Sequence, residues 1–310
     1  MREISNEYNK ILLLTDLTDK SLAAFSYARA FAEFYNSPLG VLHVLPPPGP
    51  RRESDDPAGK DSSRTAALVR KRLESLARSL RAGGLSVQVR LCRSAKTAEA
   101  ILRNIRATRP DLVIQGCGGI HDFRRAFVGS IAEDILRSTD KPVLTVPAGL
   151  KAMSSKSLRL NRILLATDFG SSVRTASSHA FSLAQEFGAR VYLCHIHNGV
   201  SKPHRSESDT STFFNSELKR FVDPSAIDFC DPKSVVKFGK PSQTILKPAD
   251  REHCDLSVLG AHPLGPMRSR GRPRTVFRVT SGAHCPVLTI SSTKRDDMKV
   301  EAEQVEVIRA

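Results

Sequence analysis

Short apolar runs alternate along this chain with stretches whose apolar positions recur at helical spacing. An apolar run at 11–14 precedes a helical pattern over about 21–34, and a second run follows at 39–44. A polar stretch, 46–63, leads to another helical pattern over about 65–82 and a run at 85–91. A third helix over about 97–108 leads to a run at 112–115, and a fourth over 130–138 leads to a last run at 143–146. The runs are continuous rather than alternating, as strands covered on both faces require. Strands separated by helices form a parallel sheet, because parallel neighbours need a crossover, and the crossover is right-handed. The expected unit is therefore α/β, Rossmann-like and doubly wound, with a five-stranded parallel sheet. Ligands of such sheets sit beyond the carboxyl ends of the strands, at the switch point.

The pattern occurs twice. Lys10-Ile-Leu-Leu-Leu-Thr-Asp16 matches Arg162-Ile-Leu-Leu-Ala-Thr-Asp168, and His43-Val44 matches His195-Ile196, both at an offset of 152 residues. Asp111-Leu-Val-Ile-Gln-Gly116 matches Asp255-Leu-Ser-Val-Leu-Gly260, and Pro142-Val-Leu-Thr-Val146 matches Pro286-Val-Leu-Thr-Ile290, both at 144. Ordered matches of this kind mark a tandem repeat. The units are expected over 1–148 and 159–293, joined by a Ser- and Lys-rich linker and followed by an acidic tail over 294–310.

A length of 310 residues suits two domains, and 40% hydrophobic with 25% charged residues is ordinary globular composition. No apolar run approaches the ~20 residues that span a bilayer, and the first residues lack the apolar core of a signal peptide. Six cysteines without a Cys-x-x-Cys pair read as reduced thiols. The expected location is cytoplasmic, with no membrane partner. The net charge of +15 is spread over both halves, and within the first half it concentrates in 51–109, which holds 15 basic and 6 acidic residues. Much of that stretch reads as a helix, so a solvated helix face accounts for it. No aromatic side chain interleaves with these arginines, so the stacking platform of a single-strand binder is missing and nucleic acid is not an expected partner.

The candidate chemistry is a glycine loop. Gly116-Cys-Gly-Gly119 ends the fourth strand, and nine residues later Gly129-Ser130 opens a helix. Glycines allow close backbone approach, successive N–H groups form an anion nest, and a helix N-terminus adds partial positive charge. Ser130-Ile-Ala-Glu133 also fits a capping box, so Ser130 could serve its own helix instead. Asp16, at a strand's carboxyl end, could meet a ligand or cap the following helix.

These residues carry a resemblance. The Thr15-Asp16 and Thr167-Asp168 strand ends, the His43-Val44 and His195-Ile196 pairs, the 116–130 loop and both Pro-Val-Leu-Thr runs resemble the universal stress protein family. The whole chain is similar to that family's tandem, UspA-like form, with an adenine nucleotide alpha hydrolase-like fold. Gly-x-x-Gly-x9-Gly-Ser is the family's ATP-binding signature. The resemblance implies an adenine nucleotide, ATP above all, in unit one, with Mg²⁺ or Mn²⁺. Thr15 and Asp16 would meet adenine or ribose, the Val44 backbone would lie beside the base, and Gly116, Gly119, Gly129 and Ser130 would hold the phosphates. It also implies a regulatory role in stress response and pairing of last strands. Here 143–146 and 287–290 could pair within one chain as a pseudo-dimer, without excluding a homodimer.

Unit two departs from the signature. Its loop reads Gly260-Ala-His-Pro263, and Pro273-Arg274 replaces Gly129-Ser130. Each proline lacks a backbone donor, so nucleotide binding in the family's manner is not expected there. His253-Cys254 and His284-Cys285 precede neighbouring strands, but their spacing matches no zinc finger and no metal is expected. His43 and His195 read as core histidines. The loop has no Walker-type lysine, and no nucleophile–base pair can be placed, so no catalytic residue is assigned. The readings weighed are a nucleotide-binding stress-response module, a nucleotide-independent interaction module, a slow ATP hydrolase and a charge-driven nucleic-acid binder.

Overall fold

The computed structural model describes residues 8–18, 21–47, 60–117, 129–154, 156, 158–198, 206–222, 224–261 and 275–291. The expected acidic tail, Gly119, and the Pro263 and Pro273-Arg274 positions lie outside them.

Unit one runs β1 (Ile11–Leu14), α1 (Leu22–Phe34), β2 (Leu39–Leu45), α2 (Lys60–Ala82), β3 (Val87–Arg93), α3 (Thr97–Thr108), β4 (Leu112–Cys117), α4 (Ser130–Ser138) and β5 (Val143–Pro147). Unit two opens with β6 (Arg162–Thr167), α5 (Val173–Phe187), β7 (Arg190–His197), α6 (Glu207–Lys219), α7 (Ile227–Cys230) and β8 (Lys233–Phe238). It continues with α8 (Pro241–Thr244), α9 (Leu246–Arg251), β9 (Leu256–Ala261), α10 (Thr275–Gly282) and β10 (Val287–Ser291). Two short helices, α8 and α9, stand where unit one has the single α3.

All ten strands form one sheet, ordered β3-β2-β1-β4-β5-β10-β9-β6-β7-β8. Neighbours are parallel within each unit. At the centre β5 meets β10 antiparallel, with Leu144 opposite Leu288. Each unit is thus a doubly wound parallel sheet of order 3-2-1-4-5, and the switch point falls between the first and fourth strands.

Successive strand residues face opposite sides, so each apolar run feeds two cores. Ile11 and Leu13 pack with α1 on one side, whereas Leu12 and Leu14 pack with α3 and α4 on the other. The first core does not stop at the unit boundary: Leu144, Val146, Leu288 and Ile290 join residues of both units in one apolar cluster. Leu158 of the linker and Leu160 at the start of unit two are buried in it. On the opposite side Phe277 of α10 packs into unit one's core, and the Arg137 guanidinium lies 4.6 Å from its ring centre.

Polar and aromatic contacts tie Tyr8 and the C-terminal end of α1 to α5. Tyr8 stacks on His179, and its hydroxyl lies 3.1 Å from His179 Nδ1. Phe34 stacks on Phe187 with ring centres 4.5 Å apart, and Tyr35 donates to Glu186.

Besides the split third helix of unit two, the elements depart from the sequence reading at α2 and β3. α2 begins at Lys60 rather than near 65, and its arginines are exposed around a buried stripe of Leu73, Ala77 and Leu80. β3 spans Val87–Arg93 rather than 85–91, because Leu85 is a buried residue leading into the strand. No described helix is long and apolar enough to cross a membrane.

Candidate functional site

The carboxyl ends of β1, β2 and β4 share one edge of unit one, and Thr15 continues β1 there. Its N–H donates to the Leu42 carbonyl at 3.1 Å, and its hydroxyl accepts from the Leu17 N–H at 3.0 Å. Asp16 is exposed, and its Oδ1 accepts from the Thr18 N–H at 3.0 Å and the Thr18 hydroxyl at 2.7 Å. Partial burial acts to raise the Asp16 pKa, but the Thr18 and Ser21 hydrogen bonds outweigh it and hold the carboxyl below its ordinary value. Asp16 is therefore a carboxylate at neutral pH. It does not cap α1: Ser21 occupies that position. The turn places Leu17 at φ 63, a left-handed conformation that non-glycine residues rarely adopt.

His43 on β2 supports this turn from below. Its Nδ1 lies 2.8 Å from the Thr15 carbonyl oxygen. A carbonyl only accepts, so Nδ1 carries the proton. The sequence pattern identified His43 as a core residue but gave no sign of this strap. Val44, next along β2, is buried and pairs with Cys92.

Gly116 lies in β4 beside Val146 and is half-buried. Gly129 is the N-cap of α4, with φ 98 and ψ 136, a conformation open in practice only to glycine. No described atom lies within 4 Å of the Cβ that another residue would carry there. Ser130 is the first helical residue and is exposed, so the capping-box alternative is corrected. The cap position belongs to Gly129, which has no side chain to bond, and the Glu133 N–H closes the first turn on the Gly129 carbonyl at 2.9 Å. The Glu133 carboxylate faces Arg137 at 3.7 Å rather than returning to the cap. The edge thus brings together Thr15, Asp16, Val44, Gly116, Gly129 and Ser130.

Unit two repeats the backbone bonds of the turn, without the hydroxyl of Thr18, whose place Gly170 takes. The Thr167 hydroxyl accepts from the Phe169 N–H at 2.8 Å, and Asp168 Oδ1 accepts from the Gly170 N–H at 2.9 Å. Phe169 takes φ 62, and His195 Nδ1 lies 3.0 Å from the Thr167 carbonyl oxygen. Above this turn lies a cavity of about 730 Å³, lined in part by Asp168, Phe169, His195, His197, Phe214 and Gly260. The sequence reading did not anticipate it.

A second cavity of about 490 Å³ is lined by Ala249, Asp250, His253, Cys254, His284 and Cys285. Burial pushes the Cys254 thiol up to about 12 and the Cys285 thiol up to about 11. Both are protonated at neutral pH, and His284 Nδ1 is engaged by Asp250 at 2.9 Å. Among the described residues no group of three or more His, Cys, Asp or Glu side chains is placed to hold a metal ion.

Comparison with known proteins places the fold. The model of the universal stress protein family matches residues 7–147 and again 159–291. A universal stress protein of Thermus aquaticus, encoded beside a sulfhydrylase gene, is 28% identical over 132 residues, 41% of this chain and 96% of that one. The crystal structure of a universal stress protein from Archaeoglobus fulgidus is similar over 92% of this chain and 99% of its own, with TM-score 0.67 and 18% identity. A Pseudomonas aeruginosa protein of unknown function is similar over 97% of both chains, with TM-score 0.65 and 19% identity. The repeated strand order, the doubled turn and the two matched segments agree: the chain belongs to the universal stress protein family and carries two of its domains in tandem.

Proposed function

We propose that unit one, over 1–148, binds an adenine nucleotide, ATP above all, and that the chain acts as a nucleotide-responsive regulator in stress response. The observation that carries this reading is Gly129. Its backbone is left-handed, no described atom crowds the space over it, and it stands at the mouth of α4 on the same edge as Asp16. Phosphate oxygens would approach the Gly129 and Ser130 N–H groups, where the helix dipole favours negative charge. Gly116 and Gly119 would complete the cradle, and the exposed Ser130 hydroxyl is a further donor. The Asp16 carboxylate would accept from a ribose hydroxyl or an adenine N–H, with Thr15 holding the turn and Val44 forming the floor beside the base. Mg²⁺ or Mn²⁺ would be bound by the phosphates, supplying charge neutralisation. Binding does not require turnover, and no residue is assigned to a hydrolytic step.

Unit two, over 159–293, is read as the partner that completes the fold. The β5–β10 pairing and the shared core support regarding the chain as an intramolecular pseudo-dimer. Calorimetric titration of the full chain with ATP and Mg²⁺ tests the reading. One site per chain is expected. Gly129→Ala is expected to weaken it at least tenfold, through backbone strain of about 1–3 kcal/mol and a blocked approach. Absence of binding at millimolar ATP, or an unchanged affinity in Gly129→Ala, would overturn it.

A further inference from the structure

The cavity of unit two differs chemically from the edge of unit one, although the backbone beneath is the same. The residue held at positive φ is Leu17 in unit one and Phe169 in unit two. The residue opposite His197 in the repeat is Leu45. Phe214, from α6, adds a third ring. These rings surround His195: its centre lies 4.6 Å from that of Phe169 and 4.3 Å from that of Phe214. Phe214 in turn lies 5.1 Å from His197 and 5.7 Å from Phe169. Nothing in the fold demands this aromatic lining, since unit one builds the same turn without it.

His195 supplies the polar group. It is 8% exposed, and its Nε2 has no hydrogen-bond partner among the described residues. Nδ1 donates to the Thr167 carbonyl, and burial holds the ring's pKa below its ordinary value. The ring is therefore neutral, and Nε2 presents a lone pair. An orphaned buried acceptor of this kind destabilises the protein unless a donor reaches it. The described lining offers a polyphosphate no cation, although Arg268, Arg270, Arg272 and Arg274 lie in the sequence between Ala261 and Thr275, which line the cavity. No Lys or Arg is among the described residues lining the cavity, and its fixed charge is the Asp168 carboxylate. Two prolines, Pro263 and Pro273, stand where unit one has Gly119 and Gly129, and they remove backbone donors as well.

We infer that unit two is a second, different binding site, which takes an uncharged planar aromatic molecule carrying one hydrogen-bond donor. The Phe169 and Phe214 rings, stacked on each other, offer the ligand's plane an aromatic wall to pack against, and its O–H or N–H donates to His195 Nε2. A cavity of about 730 Å³ has room for a two- or three-ring compound. The site is independent of nucleotide binding in unit one.

The chain contains no tryptophan, so the fluorescence of a naphthalene probe can be read directly. The full-length protein is titrated with β-naphthol and with its methyl ether, which has the same rings but no donor. Naphthol is expected to bind about tenfold more tightly than the ether, the ratio for one hydrogen bond of about 1.4 kcal/mol. Phe169→Leu, which installs unit one's residue, is expected to weaken naphthol severalfold. His195→Phe is expected to equalise the two probes, and the wild-type comparison stands if that variant does not fold. Equal affinity of the two probes for the wild type, or unchanged naphthol binding in Phe169→Leu, would overturn the inference. So would stoichiometric displacement of naphthol by ATP that persists in Gly129→Ala, since the cavity would then be a nucleotide site. Failure of ATP to bind anywhere bears only on unit one.

Discussion

Units one and two share a backbone and differ in what they place over it. Both hold a Thr-Asp turn with a strained third residue, strapped from beneath by a histidine on the second strand. Over that turn unit one offers glycine backbone and a helix N-terminus, and unit two offers aromatic rings and a buried acceptor. The turn is therefore common to the scaffold, and the chemistry placed over it differs with the neighbouring loops and α6. A duplicated domain gives this control without any second protein: what recurs answers to the fold, and what differs is free to answer to function.

The largest expected effect breaks the assumption that the units are separable. Leu288 lies opposite Leu144 at the seam, and both are almost completely buried. Leu288→Ala should destabilise the chain by about 2–5 kcal/mol through lost burial and the cavity left behind. Both units should still unfold in one transition, because the core is common to them. Calorimetry showing two transitions, with unit one's unmoved, would mean that the units fold independently.

A smaller effect separates the units by pH. His179 in unit two and Tyr27 in unit one occupy matching positions of α5 and α1. Burial pushes the His179 pKa down to about 4, whereas it pushes Tyr27 up to about 12. The folded histidine thus resists protonation more than the unfolded one, whose pKa is near 6.5. Its contribution is fully present above about pH 6.5. It is lost as pH falls toward 4, at up to about 1.4 kcal/mol per pH unit. The Tyr8 hydroxyl lies against it, and Tyr8 in turn feels the Glu186 carboxylate. His179→Tyr, the unit-one residue, should flatten this slope in urea midpoints measured across that window. An unchanged slope would place the acid sensitivity elsewhere.

The smallest effect tests the shared strap. His43→Phe and His195→Phe each leave a threonine carbonyl without its histidine donor, at about 1–3 kcal/mol. Similar losses in urea denaturation are expected for the two variants, with the His195 loss the lower because its substitution also removes an orphaned acceptor. A large loss at one site only would show that the turn is braced differently in the two halves.

The strands were legible in the sequence because they are buried on both faces, so each run is apolar without interruption. β3 was the exception: only one of its residues is fully buried, and the apolar Leu85 drew the reading two residues early. Unit two's broken third helix was hidden by the assumption that both copies fold alike, although Pro241 and Pro248 signal it. The glycine loop was visible as a motif. Its capping-box reading failed because a helix start shifts by one residue when glycine takes the cap. The aromatic cavity was not legible, since Phe169, His197 and Phe214 come from three separate elements.

The antiparallel seam has a consequence for self-assembly. Of the four edges that two separate five-stranded sheets would present, β5 and β10 close on each other, leaving β3 and β8 at the far ends. Those two strands carry Arg90 and Arg93, and Lys233 and Lys237. Cations along an exposed edge discourage another strand from adding to it. Extension of the sheet beyond either end is thereby disfavoured, and its two margins carry like charge.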